Sequence, residues 1–192
     1  MDPLLRADAV IGIGRGALIS AMFGAGWLGW GLGNAKAFNA LVGPTFGFTA
    51  LFLFACSIYF IREGRLLRKQ CPEAGASRRH SVLKWFLLVA LMEVLAIALV
   101  AILANRLHHA DLATDWCAMI VGLHFLPLAK IFRAPQLGVL GILMILWCVL
   151  SWVLFQSSAI AIAASLGTGT LLWGNCVTSL FRVGRITRSA ST

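Results

Sequence analysis

The chain has 192 residues, of which 60% are hydrophobic and 12% are charged, and its formal net charge is +9. A soluble globular domain has about a quarter charged residues, so this composition excludes a soluble domain and indicates an integral membrane protein. The positive charge does not indicate nucleic-acid binding. The basic residues are concentrated in the links between apolar segments, as is typical of the cytoplasmic links of membrane proteins.

Six apolar segments are long enough to cross the hydrocarbon core of a bilayer, which takes about 20 residues in a helix. They predict an all-α fold, a bundle of six transmembrane helices that forms a single domain over residues 1–192. The links are short, apart from a basic loop at residues 62–81. The predicted helices are Ala9–Leu32, Phe38–Ile61, Val82–Leu103, Leu112–Phe132, Leu137–Phe155 and Ser158–Phe181.

The distribution of Lys and Arg predicts the orientation of these helices. Lys36 and Arg106 lie in links on one side of the membrane, whereas nearly all the other basic residues lie in links on the opposite side. Because cytoplasmic links are enriched in Lys and Arg, both ends of the chain are predicted to face the cytoplasm. The expected location is the bacterial inner (cytoplasmic) membrane, where the lipid bilayer surrounds the chain.

The first segment contains two rows of small residues at a spacing of four. Such rows let helix backbones approach closely in a membrane. They are consistent with a central helix of the bundle, and also with a homo-oligomer that associates through this glycine-rich helix. One row is Gly12, Gly16, Ser20 and Gly24, and the other is Ala21, Ala25, Gly29 and Gly33.

Three ionisable residues lie within apolar segments. Glu93 is in the third segment among aliphatic neighbours, Arg15 is in the first and His124 is in the fourth. A charged group in hydrocarbon must be neutralised, paired or placed in a wet cavity. At about 1.5 Å per residue, all three lie between the cytoplasmic side and the membrane midplane. We hypothesise that they share one cavity, in which Arg15 pairs with Glu93 and His124 lies nearby.

Each of these three residues also has a purely structural interpretation. The Arg15 side chain could snorkel to the inner headgroups. His124 could be a neutral histidine bonded to a backbone carbonyl, and Glu93 could form a structural ion pair with Arg15. The residue types alone leave these alternatives open.

Two prolines lie within predicted helices, Pro44 in the second and Pro127 in the fourth. Proline removes a backbone donor and loosens the preceding turn. Membrane helices tolerate this where other helices or water satisfy the freed carbonyls. In the fourth helix the freed carbonyls include that of Leu123, next to His124. Both prolines are predicted hinges.

The sixth segment has a polar stripe, and lipid would not favour that face of the helix. The stripe is therefore predicted to point into the protein, where it either lines a hydrophilic path or bonds neighbouring helices. Its residues, which share one face by helical spacing, are Ser165, Thr168, Asn175 and Ser179.

The remaining polar residues give weaker signals. His108, His109, Asp111 and Asp115 crowd the link between the third and fourth segments, where a solvated loop is expected and weak cation binding is the alternative. The five cysteines have no short spacing that indicates a disulfide framework. No catalytic motif, metal site or cofactor site is predicted.

Residues 121–133 read VGLHFLPLAKIFR. This stretch resembles a motif of small multi-pass bacterial membrane proteins of unknown function, over GLHFLPLA at residues 122–129. The resemblance implies a multi-pass membrane fold and adds weight to His124 and Pro127. It implies no activity.

These features predict a small transporter or channel for a polar solute or ion. The cluster of Glu93, His124 and Arg15 would supply a proton link, and the polar face of the sixth helix would complete the path. One alternative is a membrane-embedded enzyme that acts on a lipid or quinone, with His124 and Glu93 as acid and base. The other is a non-catalytic scaffold or sensor.

Overall fold

A computed structural model describes residues 3–69, 76–108, 112–132 and 134–188. The described residues form helices and no strands, which confirms the predicted all-α fold. The helices are α1 (Pro3–Asn34), α2 (Val42–Lys69), α3 (Ala76–Arg106), α4 (Ala113–Ile131), α5 (Pro135–Leu154) and α6 (Ser157–Arg188).

Five of the described helical segments are long and apolar enough to cross a membrane. The protein is therefore a multi-pass membrane protein. The fourth helix, α4, is not among the five, because Asp115, His124 and Lys130 lower its mean hydropathy. The six-span count and the orientation stay predictions. The five segments are Ala7–Asn34, Val42–Lys69, Lys84–Arg106, Pro135–Leu154 and Ala159–Thr187.

The predicted basic loop at residues 62–81 is largely helical. Residues 62–69 continue α2 and residues 76–81 begin α3, while residues 70–75 lie outside the described part of the chain. Hydropathy marks where a helix would leave the hydrocarbon, and it does not mark where the helix ends. Arg, Glu, Leu and Lys are good helix formers, so α2 continues through its charged end.

The two predicted hinges differ in their position within the helices. Pro44 is the third residue of α2. Backbone N–H groups in the first turn have no intrahelical acceptor, so a proline there breaks no helical hydrogen bond. Asn39 caps the N-terminal end of α2, since its Oδ1 accepts hydrogen bonds from the N–H groups of Leu41 and Val42 at 2.9 and 2.8 Å. Pro127, in contrast, lies inside α4.

The chain divides into two compact units. The first comprises Met1–Gly26, Ala37–Ala74 and Leu172–Thr192, and the second comprises Trp27–Lys36 and Gly75–Leu171. Helices α1 and α6 each contribute a segment to both units.

The first unit has a core of small and medium apolar residues, Ala17, Ala21, Leu53 and Cys176. Helices α1 and α2 approach closely, because a Cβ on Gly64 would lie 2.7 Å from the side chain of Ile11. One predicted row of small residues on α1 packs only in its second half, where Ser20 and Gly24 are buried. A Cβ on Gly12 or Gly16 would meet nothing within 4 Å. The four-residue spacing alone did not show which part of the row packs against other helices.

In the second unit, α4 packs against both α3 and α5. The α4–α5 contact is closest where two glycines meet, since a Cβ on Gly141 would lie 2.5 Å from the carbonyl oxygen of Gly122. The absence of both side chains lets the two backbones approach. This contact fixes the position of α4, the helix that carries His124 and Asp115.

Candidate functional site

Glu93 and His124 form a contact between α3 and α4 in the second unit. The Oε2 atom of Glu93 on α3 lies 3.3 Å from the Nδ1 atom of His124 on α4, and the two side chains are 18% and 10% exposed. The neighbours Met92 and Val94 are well exposed, so α3 turns its aliphatic side chains outward and its carboxylate toward α4. Two helices thus bring an acid and an imidazole together within apolar surroundings.

The two side chains are close, but they are not oriented to form a hydrogen bond. Nδ1 of His124 is buried and completes no hydrogen bond among the described residues, although its distance to Glu93 is within ion-pair range. The backbone carbonyl of Val89, one helical turn before Glu93, also interacts with the imidazole. Groups that transfer protons are often poorly aligned in a resting structure.

Arg15 is the third predicted residue of the cluster. It is exposed on α1 and belongs to the first unit, whereas Glu93 belongs to the second. Within the part of the chain that the structure describes, Glu93 contacts His124, which is charged only when protonated, and Asp8 forms a partly exposed ion pair with Arg68 at 3.5 Å. The pairing of Arg15 with Glu93 stays a prediction.

The polar residues of α6 have different surroundings. Ser165 is buried, and its hydroxyl donates to the Ala161 carbonyl of its own helix at 2.7 Å. Thr168 is also buried, and its Oγ1 has no hydrogen-bond partner among the described residues. In the first unit, Nδ2 of Asn175 donates to Oγ of Ser20 at 2.9 Å. Asn175 therefore bonds a neighbouring helix, one of the two predicted roles of the stripe.

Asp115 is the residue whose environment the sequence interpretation missed. It was expected in a solvated link, but it lies in the first turn of α4 and is 0% exposed. Within the same predicted link, His109 and Asp111 lie outside the described residues. Asp115 precedes Gly122 by seven residues, two helical turns, so the two share one face of α4. Only the structure shows that this face packs on α5.

Both carboxyl oxygens of Asp115 lack a hydrogen-bond partner in the described part of the structure. The Cys148 thiol and the Trp152 indole of α5 interact with the carboxyl group, but neither completes a hydrogen bond of good geometry. The described residues hold no group of three or more His, Cys, Asp or Glu side chains close enough to bind a metal ion.

No protein-family model matches the chain, and neither a curated protein nor a solved structure is significantly similar to it. The function is therefore inferred from the geometry and chemistry of the site.

Proposed function

We propose that the chain is a small membrane transporter or channel for a polar solute or ion, and that the Glu93–His124 pair takes up and releases a proton during transport. The 3.3 Å contact between these two side chains, inside largely apolar helices, supports this proposal. In the proposed topology six helices cross the inner membrane and both ends of the chain face the cytoplasm.

The chemistry of the pair suggests how a proton is coupled to a solute. An ionised Glu93 next to a protonated His124 has no net charge, which lowers the cost of placing the pair in a bilayer. Loss of one proton leaves a net negative charge that is expensive in that environment. A cation, or a solute with a positive group, could compensate this charge, so proton release and cation binding would favour each other.

The other candidate residues have supporting roles in this proposal. Pro127 lies three residues after His124, so a change of the α4 bend would move the imidazole relative to Glu93. Ser165 and Thr168, with Asn175 further along α6, would provide polar groups along the path. Arg15 would serve as a partner or an anchor for an anion.

The proposal is tested with purified protein in proteoliposomes that contain a pH-sensitive dye. A pH gradient is imposed, and proton flux is followed with and without a panel of inorganic cations and small polar metabolites. We expect wild-type flux to be lost in Glu93→Gln and His124→Gln. Glu63→Gln is the matched control, because Glu63 is a partly buried glutamate on α2 that forms no ion pair among the described residues. Its flux should equal that of wild type.

Thermal unfolding of each variant in detergent establishes that folding is retained. Wild-type flux in a folded Glu93→Gln variant would remove the carboxyl group from the mechanism. Turnover of an extracted lipid or quinone, with no flux under any gradient, would show that the pair serves an enzyme and that the transport proposal is wrong.

A further inference from the structure

Asp115 is an ionisable residue on the face of α4 opposite His124. Asp115 and His124 are nine residues apart, which places them on opposite faces of the helix and roughly 13 Å apart along its axis. His124 faces α3, and Asp115 faces Cys148 and Trp152 of α5. Asp115 is therefore separate from the Glu93–His124 pair, and the proposed transport mechanism does not use it.

An ionised carboxylate is costly at this position. The side chain is 0% exposed, and both oxygens lack a hydrogen-bond partner among the described residues. No basic side chain within the described ranges forms an ion pair with it. The titratable group that faces it from α5 is Cys148, and a thiol is only a weak donor. The Trp152 indole is neutral, so neither neighbour compensates a negative charge.

The shape of the contact explains how the acid is enclosed. The α4–α5 backbones meet at Gly122 and Gly141, and Asp115 lies two turns before Gly122 while Cys148 lies two turns after Gly141. In an antiparallel pair these positions face each other. The close glycine contact therefore places the Asp115 side chain in contact with α5. At 0% exposure the carboxyl group has no contact with solvent from which a hydrated cation could bind, whereas a proton needs no coordination shell.

We propose that Asp115 is a second proton-binding site, which holds its proton as a neutral carboxylic acid while α4 and α5 are packed together. The ligand is the proton itself, and its release requires the α4–α5 contact to open enough to admit water. The inference stands whether or not the Glu93–His124 pair supports transport.

Infrared spectroscopy of the protein in lipid tests this proposal, because a protonated carboxyl group has a carbonyl band that an ionised one lacks. We expect this band at neutral pH and expect it to shift when the protein carries aspartate isotope-labelled at the side-chain carboxyl carbon. The aspartate band should be absent in Asp115→Asn. It should be retained in Asp8→Asn, which removes an exposed acid, and in Glu93→Gln.

A band that does not shift with labelled aspartate, or that is as strong in Asp115→Asn as in wild type, would overturn the proposal. If Asp115→Asn does not fold, a second variant decides the question without altering this residue. Replacing Asp2, Asp8 and Asp111 by Asn leaves Asp115 as the sole labelled aspartate. No labelled acid band at neutral pH in that variant would show that Asp115 is ionised.

Discussion

Nδ1 of His124 and Oε2 of Glu93 are 3.3 Å apart, and they join α4 to α3 within the second unit. Because each side chain shields the other from an apolar environment, removal of one leaves its partner uncompensated. We therefore expect the stability losses of Glu93→Gln and His124→Gln to be non-additive, with a coupling of about 0.5–3 kcal/mol.

The coupling is measured from the free energy of unfolding in detergent for the two single variants and the double variant. The cycle of Glu63→Gln with His124→Gln is the control, since Glu63 forms no ion pair among the described residues, and its two changes should be additive. Additive losses in the Glu93–His124 cycle would show that the two groups do not interact energetically.

The glycine contact between α4 and α5 gives a second prediction. Gly141→Ala places a Cβ 2.5 Å from the Gly122 carbonyl oxygen, so the backbones must separate, which costs about 1–3 kcal/mol. Gly138→Ala on the same helix places its Cβ 3.4 Å from the Ala129 Cβ. This is an ordinary contact, so the gain in helix propensity should leave that variant at least as stable as wild type.

Thermal unfolding of both alanine variants measures this difference. Equal midpoints for Gly141→Ala and Gly138→Ala would contradict the close approach of α4 to α5.

Trp147 and Gly167 supply a third prediction within the second unit. A Cβ on Gly167 would overlap the Trp147 indole, whose Nε1 donates to the Ala163 carbonyl at 2.9 Å. Gly167→Ala should therefore displace the ring, break this hydrogen bond and lower the free energy of unfolding by about 1–3 kcal/mol. Gly174→Ala should not lower the free energy of unfolding, because its Cβ would meet nothing within 4 Å.

Tryptophan fluorescence and denaturant titration report the displaced ring and the stability together. A second change, Trp147→Leu, should recover part of the loss in the Gly167→Ala background by removing the overlapping indole. No recovery would show that the ring is not the cause.

The Asn175–Ser20 hydrogen bond of the first unit is the basis of a fourth prediction. Asn175→Ala removes the 2.9 Å bond to Ser20, and hydrogen bonds between membrane helices contribute about 0.6 kcal/mol and up to about 1.7 kcal/mol. Thr178→Ala is the control on α6, since the Thr178 hydroxyl is exposed and bonds only its own helix, at the Asn175 carbonyl. Unfolding free energies that fall equally in the two variants would contradict an interhelical role for Asn175.

Local sequence patterns predicted the helices well, because apolar runs of this length have few alternatives to a helix in a membrane. They were less reliable for helix ends. Residues 62–69 extend α2 beyond its apolar run, since helix propensity continues after hydropathy falls. The uncertainty in helix ends also affects Pro44, because a proline disrupts a helix only when it lies beyond the first turn, and the sequence did not show where α2 begins.

The sequence by itself determined that the chain is an all-helical membrane protein, and it identified Glu93 and His124 as residues that need an explanation. Their types and their apolar neighbours were sufficient, because the cost of a charge in hydrocarbon does not depend on the fold. Only the tertiary structure decided that His124 contacts Glu93 and that Asp115 is enclosed against α5. Partner choice depends on helix rotation and on close contacts such as Gly122–Gly141, and these arise from packing between residues far apart in the chain.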